Sequence, residues 1–183
     1  MVLKKIFAAL LVTASTVALT GCGADHSANP DSNVGVRRAE QVASTGAPAN
    51  GPLPNSAFKA GISVANAPSK LRPGQKEILQ VTVKNISDTT WPAHGRSTDG
   101  YFQVNLGNFW FDSKAARITD NPYVRTGFPN DLKPGEEATV PLEITAPAKS
   151  GDYTLQVDLV QEMVSWFSEK GSIAPNFKVK VGD

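Results

Sequence analysis

Apolar and polar residues alternate with a period of two along much of the C-terminal part of the chain. Leu79, Val81 and Val83 alternate with Gln80, Thr82 and Lys84, and Val140, Leu142 and Ile144 with Pro141, Glu143 and Thr145. Tyr153, Leu155, Val157 and Leu159 alternate with Thr154, Gln156 and Asp158, and Phe177, Val179 and Val181 with Lys178 and Lys180. This period predicts strands with one buried and one solvated face, as antiparallel sheets have. Ile62 and Val64 suggest a first strand. Pro141 has no N–H for a ladder, so its strand is expected at a sheet edge or bulged there. Between Leu159 and Val164 the apolar parity shifts, which predicts a bulge or a change of strand.

Turn chemistry punctuates the strands. Leu71-Arg72-Pro73-Gly74-Gln75 and Leu132-Lys133-Pro134-Gly135-Glu136 share one pattern, each ahead of an alternating run. Pro presets φ at the second turn position and Gly accepts positive φ at the third, as a type II turn requires. The stretch 101–112 is open to two readings. Gly107-Asn108 suits a hairpin turn; alternatively Phe102, Val104, Leu106 and Trp110 share a face of one long strand. No long segment carries a helical apolar period. The domain is therefore expected to be all-β, an antiparallel sandwich.

The first 21 residues differ. Lys4 and Lys5 precede an uncharged run, Ile6 to Leu19, that is shorter than the ~20 residues a bilayer span needs. A short positive start, an apolar run and small residues are the three parts of a secretory signal. Leu19-Thr20-Gly21-Cys22 resembles the bacterial lipobox. That resemblance implies cleavage before Cys22, a diacylglyceryl thioether on its sulfur and a third acyl chain on its amine. Two or more chains anchor stably where one does not. Cys22 is the single cysteine, so with it acylated no disulfide is expected. Expected localisation is the cell envelope, lipid-anchored. Gly23 rather than Asp after the cysteine favours the outer membrane, facing periplasm or surface, in a bacterium with two membranes.

Residues 22–57 are rich in Ala, Ser, Asn, Pro and Gly and lack aromatics. Such a segment cannot offset its ordering entropy by burial. It reads as a tether spanning on the order of 30 Å, with a short helix allowed around 37–44. Every Phe, Trp and Tyr outside the signal falls in 58–183, a length suited to one domain. Formal net charge is +1, and removing Lys4 and Lys5 makes it slightly negative. No basic stripe suggests nucleic acid as a partner.

Several motifs together resemble bacterial immunoglobulin-like modules related to the four-tryptophan domain of autophagy receptors. They are Lys84 to Pro92 with Thr90-Trp91-Pro92 at its end, Trp110, Leu132 to Glu136, Gly151-Asp152-Tyr153, and Asp158 to Phe167. The resemblance implies an immunoglobulin-like sandwich in which Trp110 lies on a strand, favouring the long-strand reading. It also implies a tyrosine corner at Tyr153, whose hydroxyl bonds backbone upstream. Three tryptophans stand where that family has four, so its partner binding is not carried over.

Candidate chemistry is sparse. His94 is the one histidine after residue 57 and sits in a polar loop without a G-x-S-x-G context. No zinc ligand set, calcium loop or phosphate loop is apparent, so no cofactor or metal is expected. Asp158 and Glu162 on one strand face would stand roughly 13 Å apart at ~3.3 Å per residue, too far for a catalytic pair. Trp91, Trp110 and Trp166 are expected to fill the core beside Tyr153. Trp166 shares parity with Val164, which turns Phe167 to the opposite face. Tyr101, Phe109, Phe111 and Phe167 are the candidate ligand or partner surface. The expected function is a non-catalytic, membrane-anchored binding or assembly module. Its partners would be the membrane through Cys22 and an envelope protein or polysaccharide. A carbohydrate-binding module is the alternative, signalled by exposed coplanar aromatics. A small hydrolase, signalled by a cleft with two close carboxylates, is a third.

Overall fold

A computed structural model describes residues 51–183 except 96, 97 and 123. The signal, Cys22 and the segment to residue 50 lie outside the described residues. Nine strands follow in order: β1 Ala60–Ala65, β2 Lys70–Leu71, β3 Lys76–Asn85, β4 Val104–Phe111, β5 Thr126–Gly127, β6 Glu137–Thr145, β7 Gly151–Gln161, β8 Ser165–Trp166 and β9 Asn176–Val181. Two 3-10 turns, Asn55–Ala57 and Ser168–Lys170, are the only helical elements among the described residues. None is long and apolar enough to cross a membrane.

The strands form two sheets, β1-β3-β6 and β2-β9-β7-β4-β5, with β8 added to β7. This is an immunoglobulin-like sandwich, all-β as the alternation predicts. One ladder departs from the antiparallel expectation: β2 runs parallel to β9. The alternating residues meet between the sheets. Val81, Val83, Leu142, Leu106, Leu155, Val157 and Leu159 are all fully buried. The long-strand reading holds for Val104, Leu106 and Trp110, which share the inner face of β4; Phe102 lies before the strand. Pro141 sits on β6, the edge strand of the three-stranded sheet, where its missing N–H breaks no ladder bond.

The two Pro-Gly turns are built alike. Gln75 N–H donates to Arg72 O and Glu136 N–H to Lys133 O, each at 3.0 Å. Gly74 and Gly135 take φ of 68° and 81°, where a Cβ would be strained. The Gln75 and Glu136 side chains each accept the N–H at the turn's start, both at 2.9 Å. Because β3 and β6 pair antiparallel from Lys76↔Thr145 to Lys84↔Glu137, the turns lie at opposite ends of the pair. Each caps the neighbouring strand: Gly74 N–H donates to Pro147 O, and Gly135 N–H to Asn85 O.

The Asn85 to Pro92 motif is structural. Asn85 is buried; its amide donates to Thr89 O and Leu132 O at 2.8 Å and accepts from Ser87. This holds Trp91 against Leu132 in an isolated bridge. The buried Trp91 indole N–H donates to Ala57 O at 2.9 Å. Tyr153, at the start of β7, donates its hydroxyl to Lys149 O at 2.9 Å, forming the tyrosine corner.

The expected domain start at Phe58 is corrected by Leu53 and Ala57, which are buried in the core. Gln161, also buried, accepts the Leu53 N–H and donates to Gly51 O. Composition hides this, because a single leucine and three hydrogen-bonded backbone groups suffice to dock the segment.

Candidate functional site

The face of β4 and β7 turned away from the core carries an aromatic layer. The register Asn105↔Val160, Gly107↔Asp158, Phe109↔Gln156 and Phe111↔Thr154 defines it, since directly opposed residues share a face. After Gln161 the chain turns tightly, with Met163 at φ 62°, into β8. There Trp166 pairs with Val160 and Ser165 with Gln161. This is the strand change that the parity shift predicts.

That register reverses two expectations. Trp166 stands opposite outward-facing Val160, so it lies half-buried on the outer face rather than in the core. Phe167 turns inward, donating its N–H to Leu159 O, and is 0% exposed. Its ring contacts Phe58 at 4.8 Å and Trp91 at 5.0 Å. The expectation carried parity straight through residues 161–165, whereas the hairpin resets it. Phe167 therefore leaves the candidate surface and takes the core place given to Trp166. Trp91, Trp110 and Tyr153 lie in the core as expected.

Of the other surface candidates, Phe109 and Phe111 adjoin at 6.4 Å and Phe109 meets Trp166 at 4.1 Å. Tyr101 is exposed but pairs with Phe102, away from this cluster. Phe109 itself is 7% exposed, because the Arg117 guanidinium and the Trp166 indole cover it. The Arg117 guanidinium carbon lies 3.5 Å above its ring centre, and Arg125 stands 5.2 Å from the Trp166 ring. Such stacking holds the Arg117 guanidinium by its face and turns its edge donors outward. Glu162 accepts from Arg125 and, at 2.7 Å, from the Asn105 amide. Gly107 makes room for the indole: a Cβ there would fall 2.9 Å from Trp166 Cη2. A glycine inside a strand is a sequence signal for such an approach. Arg117 and Arg125 lie in a stretch without periodicity and carry no comparable signal.

Asp158 lies beneath the segment that follows Trp166 and is fully buried. It accepts from the N–H groups of Leu159 at 2.8 Å and Ser168 at 3.2 Å. Burial pushes its carboxyl above the ordinary 3.8, against the pull of its bonds to Ser168 and Leu159 and with a smaller push from Glu169. The folded state therefore binds this proton more tightly than the unfolded chain. Its stabilising effect is complete below 3.8 and is lost as pH rises through the folded value. Urea melts from acid to neutral pH should show the wild type losing ground against Asp158→Asn across that window; a pH-independent gap between them would refute the shift.

Beside the aromatic layer, a cavity of about 190 Å³ opens along the β4 edge, lined by Asn108, Phe109, Trp110, Arg117, Thr119 and Asn121 among others. Among the described residues, no group of three or more His, Cys, Asp or Glu is arranged to hold a metal.

No family model matches this chain, and no curated protein does. Among solved structures, a β-glucosidase from Listeria innocua is similar at 20% identity and TM-score 0.42, over 68% of this chain. The chain spans only 16% of the length of that enzyme. The CARDB domain of a Pyrococcus furiosus protein is similar at 15% identity and TM-score 0.37, over 68% of this chain and 93% of that one. The C-terminal domain of wzt is similar at 12% identity and TM-score 0.42, over 68% and 71%. The fold assignment rests on the strand order and register described above.

Proposed function

We propose that this chain is a lipid-anchored envelope protein whose sandwich serves as a non-catalytic binding or assembly module, presenting the outer face of β4 and β7 to its partner. The observation that carries the binding role is the layer Phe111–Phe109–Trp166, with Arg117 and Arg125 stacked on it. Aromatic and arginine side chains held by their neighbours are the residues from which protein interfaces draw most affinity. The anchoring rests on Leu19-Thr20-Gly21-Cys22 after an export signal.

The carbohydrate-binding alternative asks for coplanar exposed rings. Phe109 meets Trp166 at 61° and Phe111 at 66°, so these three rings offer no flat platform for a sugar. The hydrolase reading asks for two close carboxylates in a cleft. Glu162 is engaged by Asn105 and Arg125, and Asp158 is enclosed.

Two measurements on the chain in its native envelope test the proposal. Labelled palmitate is expected to mark the wild type, and Cys22→Ser to lose both label and membrane association. A photo-crosslinker replacing Phe111 is expected to give a discrete adduct, and one replacing Thr82 on the opposite sheet none. Unchanged labelling of the variant rejects the anchor; equal crosslinking from both faces, or none from either, rejects the binding face.

A further inference from the structure

The inner face of β4 holds a polar group among apolar ones. Asn108 lies between Leu106 and Trp110 on that face and is 1% exposed. Neither its amide nitrogen nor its amide oxygen has a hydrogen-bond partner among the described residues, and the Trp110 indole nitrogen lacks one too. Three unmet polar atoms on two neighbouring core positions have lost their water without gaining a partner in exchange. Such groups call for an occupant the protein itself does not supply. Both residues line the cavity at the β4 edge, with the three polar atoms themselves covered, so an occupant reaches them as the lining side chains shift. At about 190 Å³ it exceeds by far the ~10–15 Å³ that a single water needs.

The position of the cavity follows from the pairing. On the edge away from β7, β4 pairs with β5 only at Asn105 and Leu106. Further along, the chain returns to bridge Arg117 with Phe111, and Ile118 N–H donates to Trp110 O. The cavity occupies the gap around residues 108–110. No carboxylate lines it, while Arg117, which has no ion pair among the described residues, lies at its margin over Phe109.

We propose that this cavity is a binding site for a small hydroxylated organic acid, of the size of a hydroxy acid or a single sugar acid. Arg117 takes the carboxylate through its edge N–H donors, as a guanidinium fixed on a ring is disposed to do. The Trp110 N–H donates to a ligand hydroxyl, and the Asn108 amide, a donor and an acceptor together, matches a second. The site adjoins the proposed partner face and shares Arg117 with it, but labelling and crosslinking are read at Cys22 and Phe111, so its failure is distinguishable from theirs.

The test uses the full chain, ¹⁵N-labelled and held in detergent micelles, titrated with glycerate, D-glucuronate and D-glucose. At least one acid is expected to shift the Trp110 indole and Asn108 amide resonances saturably. The Trp91 indole, already bonded to Ala57 O, should stay in place. Arg117→Gln is expected to weaken that binding by about tenfold or more, the loss of a charge-assisted bond, with only a small shift of the melt because the side chain is exposed and its stack on Phe109 is all that stability loses. Asn108→Leu is expected to abolish it. No shift with either acid means that the cavity holds water only and overturns the proposal. Glucose binding as well as the acids, or an Arg117→Gln variant that binds normally, overturns the acid assignment.

Discussion

Phe167→Ala is expected to cost about 3–5 kcal/mol of folding stability, a large share of what a single domain has. Trp166→Ala, one residue earlier, should cost only about 1–2 kcal/mol. The contrast runs against side-chain size. Phe167 is fully buried where three chain segments meet, between Phe58 ahead of β1 and Trp91 ahead of β4. Its truncation leaves a void bounded by rigid rings that cannot collapse to fill it. Trp166 lies half-buried on the outer face, its indole over Gly107 and against Phe109. Removing it exposes Phe109 without opening the core. Chemical denaturation of the two variants measures the difference directly. A Trp166→Ala variant at least as destabilised as Phe167→Ala would mean that the hairpin after β7 is registered differently from Val160↔Trp166.

The second large effect is expected at Gln161. This side chain is fully buried at the end of β7. Its oxygen accepts the Leu53 N–H at 2.8 Å, and its nitrogen donates to Gly51 O and Phe102 O, both at 3.0 Å. One amide thus joins the segment ahead of β1, the loop before β4 and the end of β7. Gln161→Ala strands the buried Leu53 N–H, at roughly 1–3 kcal/mol, and two part-buried carbonyls at less, so about 2–4 kcal/mol in total is expected. Gln161→Glu keeps the acceptor for Leu53 but sets a carboxylate against two carbonyl oxygens, so it too is destabilised, and less so at acid pH, where the carboxyl is protonated. Thermal melts combined with hydrogen exchange at the Leu53 amide give the readout. A normal melt with that amide still protected in Gln161→Ala would show that Leu53 docks by packing alone.

The sequence by itself determined the longer strands, the two turns and most of the core, but not the two-residue strands β2 and β5. Alternation at 79–83, 140–144, 153–159 and 177–181 is a local property: successive side chains of an extended chain point to opposite faces whatever lies beyond. The Pro-Gly turns are equally local, because Pro73 and Pro134 preset φ and Gly74 and Gly135 accept the positive value that follows. The tyrosine corner came instead from the resemblance to immunoglobulin-like modules, and Tyr153 does reach a carbonyl four residues upstream. Only the tertiary structure decided what sits on which face after a reversal, and which distant groups meet. Trp166 and Phe167 exchanged places because the hairpin's register, not the parity of the preceding strand, sets their directions. Gly51 and Leu53 joined the domain through a side chain more than a hundred residues away. Arg117 and Arg125 reached Phe109 and Trp166 from a stretch with no period to read. The cavity beside Asn108 exists because one strand edge is left unpaired between β5 and Arg117. Each of these depends on three-dimensional pairing between remote segments, which the order of apolar and polar residues along the chain does not encode.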